Sequence, residues 1–470
     1  MISPTSTGEV ETQLSPILLA AVILLAAVGG LVLAVAVPAL DGPDEVYHWQ
    51  RAVQVSEGRL LASRRGGQSD YGGEIGTAAV AFAQWANRHF EHGAAFTARD
   101  ARLAGGNAFE GKTGASFPST ASFAPLAYLP QAAGIALARS LGASTFSQLI
   151  AGRIANLLTY LALVVAAVRL APMGQRVLLA FALTAPALHL AATVSGDPMN
   201  FALPALLVAW CLRLRFDPAA RLSRTFRRLL ALLILSLALL KPLFLLLAAI
   251  AWLVPERHFG GRRAKVSFLA WTFGAMLLLS VAWNAAYPFL PGKYWGTGAN
   301  PRAAILGIVG DLPGALAYFL HSLAYKLPIM WLDGWGRLGG YPPPFMVNAP
   351  QALSWAGAAA LIGLALAEGV RRRDWVAALS MTAIAAAFTS AVFAAFWIAF
   401  TPIGAPVIEG VQGRYLQLAF VLAGLALAAA APLGIRMARL RGPLLLLSLS
   451  LQAAAIVHGV GELRFYWSSW

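Results

Sequence analysis

Charge is scarce in this chain: Asp, Glu, Lys and Arg make up 12% of its 470 residues, where a soluble globular domain has about 25%. Hydrophobic residues reach 59% and the mean hydropathy is +0.68, which excludes a soluble globular or disordered chain. Acidic residues are the scarcer sign, 20 against 35 Lys and Arg. There is one cysteine, Cys211, inside an apolar run; it excludes an intrachain disulfide and implies no compartment. The G-x-S-x-G elbow and the strand-to-helix GxGxxG turn are absent, so serine-hydrolase and dinucleotide chemistry fall away. No His/Cys spacing of a dedicated zinc site occurs and no cofactor is expected. Internal repeats are lacking too, which weakens an inverted-repeat transporter.

The net charge of +15 is not a nucleic-acid footprint, because the basic residues fall in short clusters between apolar runs. Arg213, Arg215, Arg221, Arg224, Arg227 and Arg228 form one, and Arg257, Arg262, Arg263 and Lys265 a second. Arg371 to Arg373 and Arg436, Arg439 and Arg441 make two more. Such clusters mark cytoplasmic loops.

The fold expected is an all-α polytopic membrane protein. A crossing needs about 20 apolar residues, and about eleven spans are expected: 16–37, 150–170, 176–194, 198–212, 228–240, 242–253, 266–286, 351–366, 375–400, 412–433 and 443–458. The first is read as an uncleaved span, being long for a signal peptide and without a basic flank before it. Residues 124–141 are apolar as well. If they crossed, the Arg213–Arg228 cluster would move outside, against the charge bias, so they are read as juxtamembrane or re-entrant. The resulting order is a first span (1–37), an outer loop with juxtamembrane helices (38–149), six spans (150–286), a second outer loop (287–350) and four more spans (351–470). The second loop holds Tyr294, Trp295, Tyr325, Trp331, Trp335, Tyr341 and Pro342-Pro343-Pro344, a composition suited to the headgroup level.

Directly after the first span come Asp41-Gly-Pro-Asp44-Glu45-Val-Tyr-His48. Rim carboxylates are costly unless paired or used. Asp44 and Glu45 can supply a general base; the competing account is an N-cap for a helix over 46–57. His48 lies on the same helical face as Asp44 and can relay a proton, bind phosphate or simply bond Asp44. Asp197, in Ser195-Gly-Asp197-Pro198, also lies at an outer turn, as catalytic or acceptor-binding acid or as a cap. A divalent metal would need it as a third ligand beside Asp44 and His48. Lys241, between two short apolar runs, and Arg414 suit an anionic head group; the alternatives are snorkelling and a pair with Glu409. The outer rim thus collects acids and bases from distant parts of the chain.

These landmarks carry a resemblance. Asp44-Glu45-Val-Tyr-His48-Trp49, leading to Ser56-Glu57-Gly58, resembles the Asp-Glu motif of the GT-C glycosyltransferases, among them the protein O-mannosyltransferases and the aminoarabinose transferases of lipid A. Ser122-Phe-Ala-Pro125-Leu126-Ala-Tyr128 looks like the Pro-Leu-Tyr segment that re-enters the membrane after their first loop. Arg153, then a span, then Ser195-Gly-Asp197-Pro198 matches their second acidic position. More narrowly, Pro43-Asp44-Glu45, Lys241-Pro242 and Gly410-Val-Gln-Gly413-Arg414-Tyr415 look like a bacterial membrane-protein family of unassigned function placed beside those enzymes.

The resemblance implies an inverting glycosyltransferase in the bacterial inner membrane with its active site outside the cytoplasm. The donor would be a sugar on a polyprenyl phosphate, the acceptor a glycan, lipid or protein. Asp44 would be the base, with Glu45 and Asp197 completing the catalytic acids. Asp41, His48, Lys241, Arg414 and Tyr415 would bind substrate. A flippase for a lipid-linked saccharide and a non-catalytic scaffold in envelope-glycan assembly are the alternatives.

Overall fold

The computed structural model describes residues 13–66, 70–106, 110–338, 347–369, 373–431, 437–463 and 466. Tyr341, Pro342–Pro344, Arg371, Arg372 and Arg436, named above, lie outside these residues. Helix accounts for 73% of the structure and strand for 4%, so the all-α polytopic class holds. Among the described residues six helices are long and apolar enough to cross a membrane, or seven if one bent pair counts as a span.

The helix α1 (Pro16–Ala36) starts on Ser15, whose side chain accepts the Leu18 amide, and carries Pro16 where no amide partner is needed. After it follow α2 (Glu45–Ser56), α3 (Thr77–Glu91), α4 (Ala98–Gly106) and α5 (Leu129–Ser140). A small antiparallel sheet β1-β2-β3 (Ser63–Arg64, Tyr71–Gly76, Lys112–Ser116) joins them, with Gly73 opposite Ala115. The segment expected to be juxtamembrane forms a 3-10 turn, Pro125–Tyr128, and α5. Twelve residues rise only about 18 Å, against about 30 Å of hydrocarbon, so α5 does not cross alone.

Then come α6 (Thr145–Leu170), α7 (Gln175–Ala182), α8 (Ala185–Ala191), α9 (Asp197–Phe216), α10 (Arg224–Ala238), α11 (Phe244–Leu253) and α12 (Arg262–Ala286). After these lie α13 (Pro301–Gly310), α14 (Leu312–Gly336), α15 (Gln351–Ala367), α16 (Trp375–Ala399), α17 (Gln417–Ala430) and α18 (Arg441–Glu462). Of the eleven expected crossings, those on α1, α6, α9, α12, α16 and α18 meet the length and apolarity of a span. The expected span 176–194 is broken into α7 and α8, and every residue of both is buried. Pro186 in the first turn of α8 cannot donate to Ala182 and its ring opposes a continuous helix there. That run is apolar because it is the core of the bundle.

The segment 287–350, expected as an outer loop, contains α13 and α14, bent by 115° at Asp311, whose side chain caps α14 through the Gly314 amide. Contacts of α14 follow the end of α16 and the chain beyond it: Tyr318 with Trp397, Phe319 with Phe393, Ser322 Oγ accepting the Ile408 amide, Asp333 accepting the Gly413 amide.

The basic clusters gather at one end of the bundle. There Arg215 bonds Asp374 (2.9 Å), Arg176 bonds Glu368 (2.6 Å), Arg227 donates to the His258 carbonyl and Arg441 to that of Ala367. The other end holds the last turn of α1, the first of α9, the break after α10 and the turn before α17.

Candidate functional site

The site starts from a strained turn. Leu40 and Asp44 have φ of 63° and 58° and are the two non-glycine residues with positive φ among those described. Such conformations cost about 1–3 kcal/mol each and persist only where surroundings hold them. Here Arg153, fully buried on α6, does so. It donates to the carbonyls of Ala34, Val37 and Pro38, and by Nε and Nη2 to Glu45 at 2.8 and 2.6 Å. Glu45 in turn accepts the amides of Gly42 and Val194.

Glu45 therefore points away from the Asp44 carboxylate and into the protein. It is fully enclosed and its carboxylate is occupied by four donors, so it fixes the turn and the 193–197 segment together. Asp41 is likewise buried in this turn, close enough to Tyr466 to act on it. Burial first pushes the Tyr466 phenol up to about 12; Asp41 adds to the shift, while Arg153 and Arg102 oppose it.

Asp44 occupies the N-cap position of α2 but makes no capping bond; its left-handed backbone sends the carboxylate elsewhere. Oδ2 accepts from Arg414 Nη2 at 2.6 Å. The guanidinium also lies 3.6 Å from Asp197 Oδ2 through Nε and donates to the Tyr415 hydroxyl at 3.2 Å. Lys241 Nζ stands 3.5 Å from Asp197 Oδ1, between the rings of Phe123 (5.3 Å) and Tyr415 (5.0 Å). Residues 44, 197, 241 and 414 thus form one chain of ion pairs: Asp44, Arg414, Asp197, Lys241. The capping, snorkelling and Glu409-pairing accounts give way to this arrangement.

Exposure ranks the members. The Asp44 side chain is 38% exposed and Lys241 28%, against 11% for Asp197 and 9% for Arg414. Asp44 is the most exposed of the four.

His48 is buried one turn into α2, with Nδ1 2.6 Å from the Tyr128 hydroxyl. Burial lowers its pKa; the Asp197 and Asp44 carboxylates oppose that shift, and Arg414 and Lys241 add to it. The imidazole is neutral at neutral pH. Burial raises the Tyr128 phenol well above its ordinary value, so Tyr128 stays protonated beside it.

Three contributors were not among the expected site residues. Tyr128 was quoted only as part of a motif, yet it partners His48. Asn200 donates to Asp197 Oδ1 at 3.0 Å; its position three residues on, one helical turn, was the available signal. Phe123 beneath Lys241 lies in the same Ser122–Tyr128 motif and, like Tyr128, was not singled out there. Among the described residues no three His, Cys, Asp or Glu side chains converge on a metal position; both acids of the cluster face cations.

No curated protein and no solved structure matches the chain. Residues 28–423 are matched by the model of the family described as "Predicted membrane protein (DUF2142)", and the span of that match, which covers every residue of the cluster, places this chain in that family.

Proposed function

We propose that the protein is an inverting, GT-C-type glycosyltransferase that moves a sugar from a polyprenyl-phosphate donor to a hydroxyl of an envelope glycan, lipid or protein. The observation that carries this reading is the meeting of a reachable carboxylate, Asp44, with two cations, Lys241 and Arg414, at one end of an apolar bundle. A lipid phosphate leaves as an anion, so a positive clamp replaces a general acid. The acceptor hydroxyl gives its proton to Asp44 while its oxygen bonds the anomeric carbon. The bond from that carbon to the phosphate oxygen breaks, and its electron pair leaves on the phosphate between Lys241 and Arg414. Asp197, held by Asn200, keeps both cations in place, and His48 lines the site as a neutral hydrogen-bonding group. No tightly held metal is required by this scheme.

The sidedness belongs to the same proposal. The arginine-rich end faces the cytoplasm by charge bias, which puts the cluster at the extracytoplasmic face of a bacterial inner membrane. α13 and α14, with Ile305, Leu306, Val309, Leu312, Leu316 and Leu320 exposed, then lie against lipid near that face. The eleven-span count is retained in this reading, with the three shorter apolar helices, α10 and the α7–α8 pair as additional short or broken segments.

Purified protein in nanodiscs, given a panel of labelled polyprenyl-phosphate hexoses and pentoses with membrane extract as acceptor source, tests the reading. Asp44→Asn is expected to lose transfer about 10²–10⁴-fold with an unchanged gel-filtration profile. Full transfer by the variant removes Asp44 as base, and translocation without a new glycosidic bond replaces the transferase by a carrier.

A further inference from the structure

We propose that the Asp44–Arg414 ion pair is a latch, in which a phosphate-bearing ligand takes the guanidinium and thereby releases Asp44. This deepens the transferase reading and rests on it for the ligand's identity, though not for its charge.

The guanidinium is only partly used. Nη2 serves both Asp44 and Tyr415. Nη1 and Nε are buried without a hydrogen-bond partner, Nε standing 3.6 Å from Asp197. An arginine fork with spare donors, nine-tenths buried, fits an anion presenting two oxygens. Lys241 has capacity as well: its 3.5 Å approach to Asp197 is long for a hydrogen bond, and aromatic faces surround the ammonium.

Charge balance supplies the direction of change. Two carboxylates and two cations cancel in the free site, and the buried imidazole adds nothing. A phosphate entering between Lys241 and Arg414 makes the site negative, and like charges at such separations in a poorly solvated site repel strongly. One carboxylate must withdraw. Asp197 is held by Asn200, Lys241 and Arg414 at once, whereas Asp44 sits at the mouth with one cationic partner. Asp44 moves, and both of its oxygens become available to a hydroxyl. The order follows: donor first, acceptor second, with no competent base until the phosphate is seated.

The test uses the full chain in nanodiscs, labelled with a water-soluble carbodiimide and an amine, with labelling at Asp44 read by peptide mass spectrometry. Undecaprenyl phosphate and inorganic phosphate are the two probes, and native mass spectrometry reports lipid binding. Labelling of Asp44 is expected to rise several-fold with the lipid phosphate. Arg414→Gln should label at the raised level with no probe. Arg414→Lys, the safer variant for folding, should lie between. Lys241→Gln should need more probe for the same rise. Lipid binding with unchanged or reduced Asp44 labelling overturns the latch while leaving the transferase reading intact. A response to inorganic phosphate alone supports the latch and removes the lipid donor. Absence of binding by both probes overturns the anion site itself.

Discussion

Arg153 and Glu45, 108 residues apart in sequence, are joined by two hydrogen bonds of 2.8 and 2.6 Å, and neither side chain has exposed surface. This pair sets the turn that carries Asp44 and touches the segment that carries Asp197. Removing one partner leaves a buried charge uncompensated, at a cost of roughly 3–5 kcal/mol. Glu45→Gln and Arg153→Met are each expected to lower thermal unfolding in detergent sharply. Double-mutant-cycle coupling near zero would show that the pair does not bind these segments together.

Lys241 and Asp197 make a different prediction. Lys241→Met keeps the aliphatic stem between Phe123 and Tyr415 but removes a charge facing the proposed phosphate position. Charge-assisted contacts are worth about 1.5–3 kcal/mol, so binding of a polyprenyl phosphate should weaken by roughly ten- to a hundredfold. Equal affinity for wild type and variant, read by titration in nanodiscs, removes Lys241 from the anion site.

His48 sets a pH dependence. Burial holds its folded pKa below the unfolded value, which is about 6.5. As pH falls below that value the unfolded chain takes up a proton that the folded chain does not. Stability from this residue is therefore unchanged above the unfolded pKa and declines as pH drops towards the folded one. His48→Gln should flatten that part of the stability profile relative to wild type. Superimposable profiles from pH 7 down to the acid limit would contradict a buried neutral imidazole.

Gly413 precedes Arg414 against the backbone of α14. A Cβ there would meet the Gly334 amide nitrogen and the Met330 carbonyl, neither of which a side-chain rotation can move. Gly413→Ala should cost about 1–3 kcal/mol as overpacking and displace Arg414, losing affinity for lipid phosphate as well as stability. Retention of both would mean the α14 contact does not position the arginine.

Much of the cluster was legible because ionisable residues bordering apolar runs are costly and therefore few. Asp44, Asp197, Lys241 and Arg414 stood out on that ground. Their partners were not legible. Arg414 lies near Glu409 in sequence but bonds Asp44 and Asp197, and Glu45 adjoins Asp44 but turns inward to Arg153 because the positive φ at Asp44 redirects the chain. In the segment 287–350, His321, Lys326, Pro313 and Pro328 interrupt the apolar pattern and hid α14. Its helix is secured by the Asp311 cap and by contacts with residues 393–413.

The sequence by itself determined the solvent: with so little charge, and that charge gathered between apolar runs, the chain has to live in a bilayer with its arginine clusters on one side. Tertiary structure decided which apolar runs meet lipid and which meet protein, because hydropathy scores both neighbours alike; α7 and α8 vanish into the core while α13 and α14 remain exposed. It also decided which charges neutralise one another. Pairing depends on side-chain direction and on distances of a few ångströms between residues hundreds of positions apart, and only the folded chain fixes those.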